Sequence, residues 1–249
     1  MKNRMELSAV VLKYIAIVAM TIDHIAFMFV PNDTILYYVM RMCGRLTAPI
    51  MSFFISQGFI YTSSRKKYLL RLLFFAVISQ PVYFMMIFSR PPESVFEYLT
   101  NLNVMFTLSL GLVVLIIVSN KKLNLSLKMI LTGVCLAASD LCDWSFIVPV
   151  WILIFFYLKN DKKKMNVVFI GSSVVLLLLR YLPLYESFGQ FSYQFGVLFA
   201  LILLNFYNGN REQSCTQGKN KLIGKWLFYF YYPLHMALIN LICILIRQC

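Results

Sequence analysis

Long apolar runs alternate with short polar breaks along this chain, and the lengths of the runs carry the first conclusion. They cover Tyr14 to Val30, Leu46 to Tyr61, Tyr68 to Phe88, Leu102 to Ser119, Leu127 to Ser139, Trp144 to Leu158, Met165 to Leu182, Phe188 to Tyr207 and Trp226 to Ile246. A helix that crosses a bilayer needs about 20 residues with few charges, so the pattern predicts about nine transmembrane helices. The second run has an alternative start near Leu36, which places Arg41 and Arg45 in the first turns of that helix. The fifth and sixth runs are short for a layer of about 30 Å; with Ser139 to Asp143 between them they fit a tight hairpin that stops short of a full crossing. No repeat of fixed period is visible, so neither a solenoid nor an evident duplicated transporter is indicated.

The breaks between runs give an orientation. Taken alternately, Met1 to Lys13, Ser63 to Lys67, Asn120 to Lys128, Lys159 to Lys164 and Asn208 to Lys225 hold most of the 23 Lys and Arg residues. The intervening set, Pro31 to Arg45, Ser89 to Asn101, Asp140 to Asp143, Arg180 to Ser187 and the C-terminal tail, holds few of them and most of the acids. Lys and Arg mark the cytoplasmic side, which predicts a cytoplasmic N-terminus and an outside C-terminus.

Composition agrees with this reading. The chain is 60% hydrophobic and only 13% charged over 249 residues, and no soluble domain of useful size can be cut from it. Residues 1–249 therefore read as one all-α, polytopic membrane domain. The net charge of +13 follows from the loop asymmetry and from attraction to anionic lipid, so nucleic acid is not needed to explain it. Cys43, Cys135, Cys142, Cys215, Cys243 and Cys249 form no Cys-x-x-Cys pair, and with two histidines neither a disulfide framework nor a metal site is supported. The basic N-terminus lacks a following cleavage site, which predicts a retained first helix.

Against this apolar background a few ionisable residues stand out. Asp23 and His24 lie deep in the first run, where a charge costs on the order of 3 kcal/mol and marks a functional site by default. Arg41 and Arg45 are spaced i,i+4 on one helical face, away from the basic side; a local acid should neutralise them, and Asp23, in the preceding apolar run, is the candidate. Asn101 and Asn103 open the fourth run, Asp140 and Asp143 sit in an outer break, and Arg180 ends the seventh run. Pro233 interrupts the last run beside His235, and Pro81 interrupts the third beside Gln80. Gln57 and Gln80 fit helix packing better than chemistry.

Five blocks, taken together, resemble the TraX family. They are Lys13 to His24 (Lys-Tyr-Ile-Ala-Ile-Val-Ala-Met-x-x-Asp-His), Arg41 to Pro49 (Arg-x-x-Gly-Arg-Leu-x-x-Pro), Lys67 to Leu72 with Ile78 to Pro81, Leu102 to Thr107 and Tyr231 to His235 (Tyr-Tyr-Pro-Leu-His). The resemblance implies a conjugation-associated pilin N-acetyltransferase or a related multi-helix membrane acyltransferase of the bacterial inner membrane. On that footing acetyl-CoA is the co-substrate, and the acceptor is a peptide or a glycan of the cell envelope.

Acetyl transfer needs a base, donors for the developing oxyanion and exclusion of water. The expected base is His24, with Asp23 holding Arg41 or Arg45, since neighbours on a helix point about 100° apart and Asp23 does not reach His24. The arginines are expected to face the thioester oxygen or an acceptor carboxylate. Asn103, Asp140, Asp143 and His235 are candidates for substrate contacts. Arg65, Lys66, Lys67 and Arg71 are candidates for the nucleotide phosphates, with the pantetheine arm threading between helices. O-acetylation of a glycan and small-molecule transport are the competing readings, and the oligomeric state is left open.

Overall fold

A computed structural model describes residues 7–184, 191–207 and 219–248 of the chain. Parts of the polar breaks at both termini, Arg180 to Ser187 and Asn208 to Lys225, with Cys215 and Cys249, lie outside the described residues. The described residues are helical, and their only β pairing is two isolated bridges, Leu7 with Tyr207 and Leu102 with Cys142. Four helices are long and apolar enough to cross a membrane: Ala9–Phe29, Arg65–Phe88, Lys162–Leu184 and Trp226–Ile246. This is a membrane protein. By contacts the chain divides into two compact units, Met1–Met51 with Asn166–Cys249, and Ser52–Met165.

In the first unit, α1 (Ala9–Phe29) is started by Ser8, whose Oγ accepts from the Val11 amide, and ends before Pro31. Its buried stripe runs Leu12, Ala16, Ala19, Met20, Asp23 and Ala26, and the alanines along it allow neighbours to approach closely. Helix α2 (Ile35–Gly44) follows, capped by Thr34, and packs on α1. Its Ile35 is 84% exposed, with Leu36 and Val39 also turned outward, as lipid contact requires. The second apolar run, Leu46 to Tyr61, is thus the single helix α3 (Thr47–Tyr61); the alternative start near Leu36 belongs to α2 instead, because the chain turns at Arg45 and Leu46 before α3 begins. Arg41 lies in the last turn of α2 and Arg45 is its C-cap, not in the first turns of a longer helix. Gly44 explains the close packing here, because a Cβ at this position would overlap the Asp23 side chain. The eighth run forms a 3-10 helix, Ser192–Phe199, followed by a short α-helix, Ala200–Asn205. The C-terminal helix, Lys219–Gln248, carries Pro233 in its interior and packs on α1.

The second unit is built on α6 (Val104–Ser119), which is apolar on all sides and receives α4 (Arg65–Phe88), α7 (Leu125–Ala138) and α8 (Ile147–Tyr157). Leu108, Leu112, Val114 and Leu115 of α6 are almost wholly buried. Between α4 and α6 the chain adds α5 (Val95–Leu99), a single turn that the hydropathy pattern does not show. Helices α7 and α8 run only about 21 and 16 Å at 1.5 Å per residue, short of a full crossing, as the sequence leads one to expect. They are joined by a 3-10 turn, Ser139–Leu141, and by Trp144 and Ser145 in the left-handed region. Helix α9 (Lys162–Tyr181) returns the chain to the first unit.

A candidate active site of buried charge and paired imidazoles

The site in the first unit starts from the local hairpin of α1 and α2. Asp23 lies on the buried stripe of α1 and receives both arginines of α2. Arg45 Nη2 stands 2.6 Å from each Asp23 oxygen, and Arg41 Nη1 stands 2.8 Å from Oδ2. Arg45 is further fixed by donating from Nε to the Arg41 carbonyl and from Nη1 to Gln194 Oε1, at 3.3 Å each. Aromatic faces surround the guanidinium groups: Phe27, Tyr37 and Tyr193 lie 5.3 to 5.7 Å from Arg41 Cζ, and Tyr193 also faces Arg45. A buried carboxylate is tolerable only with such partners, and charge-assisted bonds of this geometry are the strong ones.

One residue further along α1, His24 turns away from that cluster toward the C-terminal helix. Its Nδ1 lies 2.7 Å from His235 Nε2, the two rings being within 8° of parallel. His235 Nδ1 lies 2.8 Å from the Tyr231 carbonyl oxygen, one turn back on the same helix. Tyr231 in turn donates its hydroxyl to Thr21 Oγ1 at 2.6 Å, while Thr21 donates to the Ile17 carbonyl. The protons follow from this chain of partners. A carbonyl only accepts, so His235 carries its hydrogen on Nδ1; with both rings neutral, His235 Nε2 accepts from His24 Nδ1. His24 then has an unprotonated Nε2, and no partner meets that nitrogen among the described residues.

Of the residues singled out in the sequence, the structure brings together Asp23, His24, Arg41, Arg45 and His235. Asp23 takes both arginines rather than one, and His235 is paired with His24. Thr21, Tyr193, Gln194 and Tyr231 were not singled out. Tyr231 had a signal, since it lies four residues before His235 on one helix face; Gln194 had only its polarity in an apolar run.

The remaining candidates lie in the second unit, in local structure. Asn103 caps α6: its Oδ1 accepts from the Met105 amide, and its Nδ2 donates to the Ala76 carbonyl and to Gln80 Oε1. It is wholly buried, and both of its amide hydrogens are donated, which makes it a helix cap tied to Gln80. Asp140 accepts from Ser145 Oγ, and the Asp143 carbonyl accepts from Thr107 Oγ1. Arg65, Lys66 and Lys67 are exposed in the first turn of α4, where Ser64 is the N-cap; Arg65 stacks on Phe59, and Arg71 on Tyr68. Burial pushes the Cys142 thiol up to about 12, which leaves it unreactive at neutral pH. No cluster of metal-binding side chains occurs among the described residues.

A protein of Dichelobacter nodosus described as "Probable fimbrial assembly protein FimC, serogroup H1" is 32% identical over 244 residues, covering 96% of this chain and 97% of that protein. No solved structure matches. The family model described as "TraX protein" matches residues 8–243, which include every residue of the Asp23 and His24 clusters, and the chain belongs to the TraX family.

Proposed function

We propose that the chain is a membrane-embedded acetyltransferase that moves acetyl from acetyl-CoA to an amino terminus of an envelope or pilin-like peptide, with His24 as general base. The observation that carries this reading is the tautomer imposed on His24, whose Nε2 lone pair meets no partner among the described residues while Nδ1 is held by His235. A base needs a lone pair at a fixed position, and the second imidazole and the Tyr231 carbonyl supply that fixation. The fimbrial assembly role in the printed name of the Dichelobacter relative agrees with a pilin-like acceptor.

In the step itself the acceptor nitrogen attacks the thioester carbonyl carbon, and the N–C bond forms. His24 Nε2 takes the proton released from that nitrogen; the C–S bond breaks, and the proton passes to the departing sulfur. The products are free CoA thiol and an acetamide. Arg41 stands on the next turns of the same hairpin as a source of positive charge for the oxyanion of the tetrahedral intermediate.

Multi-pass insertion in the inner membrane, with nine crossings, the N-terminus inside and the C-terminus outside, completes the reading, since the donor is cytoplasmic.

The test is acetyl-CoA turnover by the purified protein in nanodiscs, followed as thiol release with and without envelope peptides. His24→Ala is expected to lower it by at least about 100-fold while leaving the melting temperature near that of the unsubstituted protein. Equal turnover by the variant removes His24 from the chemistry.

A further inference from the structure

We propose that Arg41 is the receptor for an oxyanion, the paired oxygens of a carboxylate or phosphate, carried by a molecule with an apolar group beside it. The proposal deepens the acetyltransferase reading and rests on it for its purpose, although its test does not use transfer.

The argument is one of donors. A guanidinium offers five N–H groups, and its side edge, Nε with Nη2, matches a planar pair of oxygens. Arg45 commits its Nε, Nη1 and Nη2 to the Arg41 carbonyl, Gln194 and Asp23. Arg41 commits only Nη1, to an Asp23 oxygen that Arg45 already holds at 2.6 Å. Arg41 Nε is buried with no hydrogen-bond partner, and Nη2 beside it makes none among the described residues. The side edge is therefore the unused one. A buried donor without an acceptor is costly to maintain, and native proteins leave few of them.

The surroundings say what kind of anion fits. Phe27, Tyr37 and Tyr193 wall the guanidinium with ring faces, and its side chain is 12% exposed. Rings of that kind hold the cation flat, exclude water from the fork and present apolar surface to whatever lies next to the anionic group. A fully hydrated inorganic ion gains nothing from such walls, whereas an amphipathic carboxylate or phosphate does.

Arg41 is also separable from the fold. Removing it leaves Asp23 with Arg45 on both oxygens, so no buried carboxylate is abandoned.

The experiment is the thermal response of the full-length chain in nanodiscs, without acetyl-CoA, to phenylacetate, to its neutral isostere phenylacetamide and to phenyl phosphate. Wild type is expected to melt higher with at least one of the anions and not with the amide. A response to phenylacetate assigns the carboxylate source, and one to phenyl phosphate the phosphate source. In Arg41→Gln the unliganded melting temperature is expected to hold within a few degrees, and the apparent affinity for the anion to fall at least tenfold. Arg41→Lys, which keeps the charge and loses the fork, is expected to fall between. An equal response to the amide, an unchanged response in Arg41→Gln, or no response to either anion by folded wild type overturns the proposal. Loss of thiol release alone bears on His24 and leaves this binding result standing.

Discussion

Asp23 and His24 are adjacent in sequence and serve different neighbours because successive residues on a helix point about 100° apart. Asp23 faces α2 and holds two arginines; His24 faces the C-terminal helix and holds an imidazole. The first arrangement was legible from residue spacing, since Arg41 and Arg45 share a face and Asp23 is the lone acid in the preceding run. The second was not, because His24 and His235 are separated by 211 positions and no local pattern relates them. Asp23→Asn leaves Arg41 and Arg45 without their shared carboxylate in an apolar setting. The expected cost is about 3–5 kcal/mol, read as a lowered melting temperature. Gly44→Ala should act in the same direction, since its methyl group would occupy the place of the Asp23 carboxylate.

Elements were legible where hydropathy alone defines them and obscure where capping does. Helix α1 begins five residues before its apolar run because Ser8 supplies a cap and Ala9 to Lys13 continue the turn. The break between α2 and α3 is marked by Pro49 in the first turn of α3, and Gly44 packs on Asp23 just before it. Helix α5 did have a signal, Ser94-x-x-Glu97, in which Ser94 Oγ accepts from the Glu97 amide and the Glu97 carboxylate accepts from the Glu93 amide. Arg90 donates to the same carboxylate, and these bonds hold the Glu97 carboxyl below the usual glutamate range. A lowered folded value means that its contribution is present above the free glutamate value, about 4.3, and is lost as pH falls through the folded value. A spin label at Val95 should therefore keep constant mobility from neutral pH down to about 5 and become mobile at lower pH. Glu97→Gln should be mobile throughout, and equal behaviour of the two would assign the order of α5 to something other than this carboxylate.

For the whole molecule, the sequence pattern predicts nine crossings. Four helices are long enough by themselves, and nine crossings need five shorter ones, Thr47–Tyr61, Val104–Ser119, Leu125–Ala138, Ile147–Tyr157 and Ser192–Asn205, to cross with help from neighbours. Nine crossings make a definite expectation. Single cysteines at Lys122 and Lys162, in a cysteine-free background, should be shielded in intact cells from a membrane-impermeant maleimide, and one at Arg90 should be labelled. The reverse pattern would invert the orientation. The pairing of the two ends of the chain in one unit has a further consequence in time. At about 5–20 residues per second, roughly 10 to 40 seconds of synthesis separate His24 from His235. The Asp23 charge does not wait for that interval, because Arg41 and Arg45 follow it by 18 and 22 positions and emerge almost at once. The imidazoles, which are tolerable uncharged in lipid, are the groups left waiting. Nascent chains are thus protected early against their most expensive residue, while the His24 ring acquires its fixed tautomer only when the last helix arrives, so a prematurely terminated chain lacks the imidazole pair.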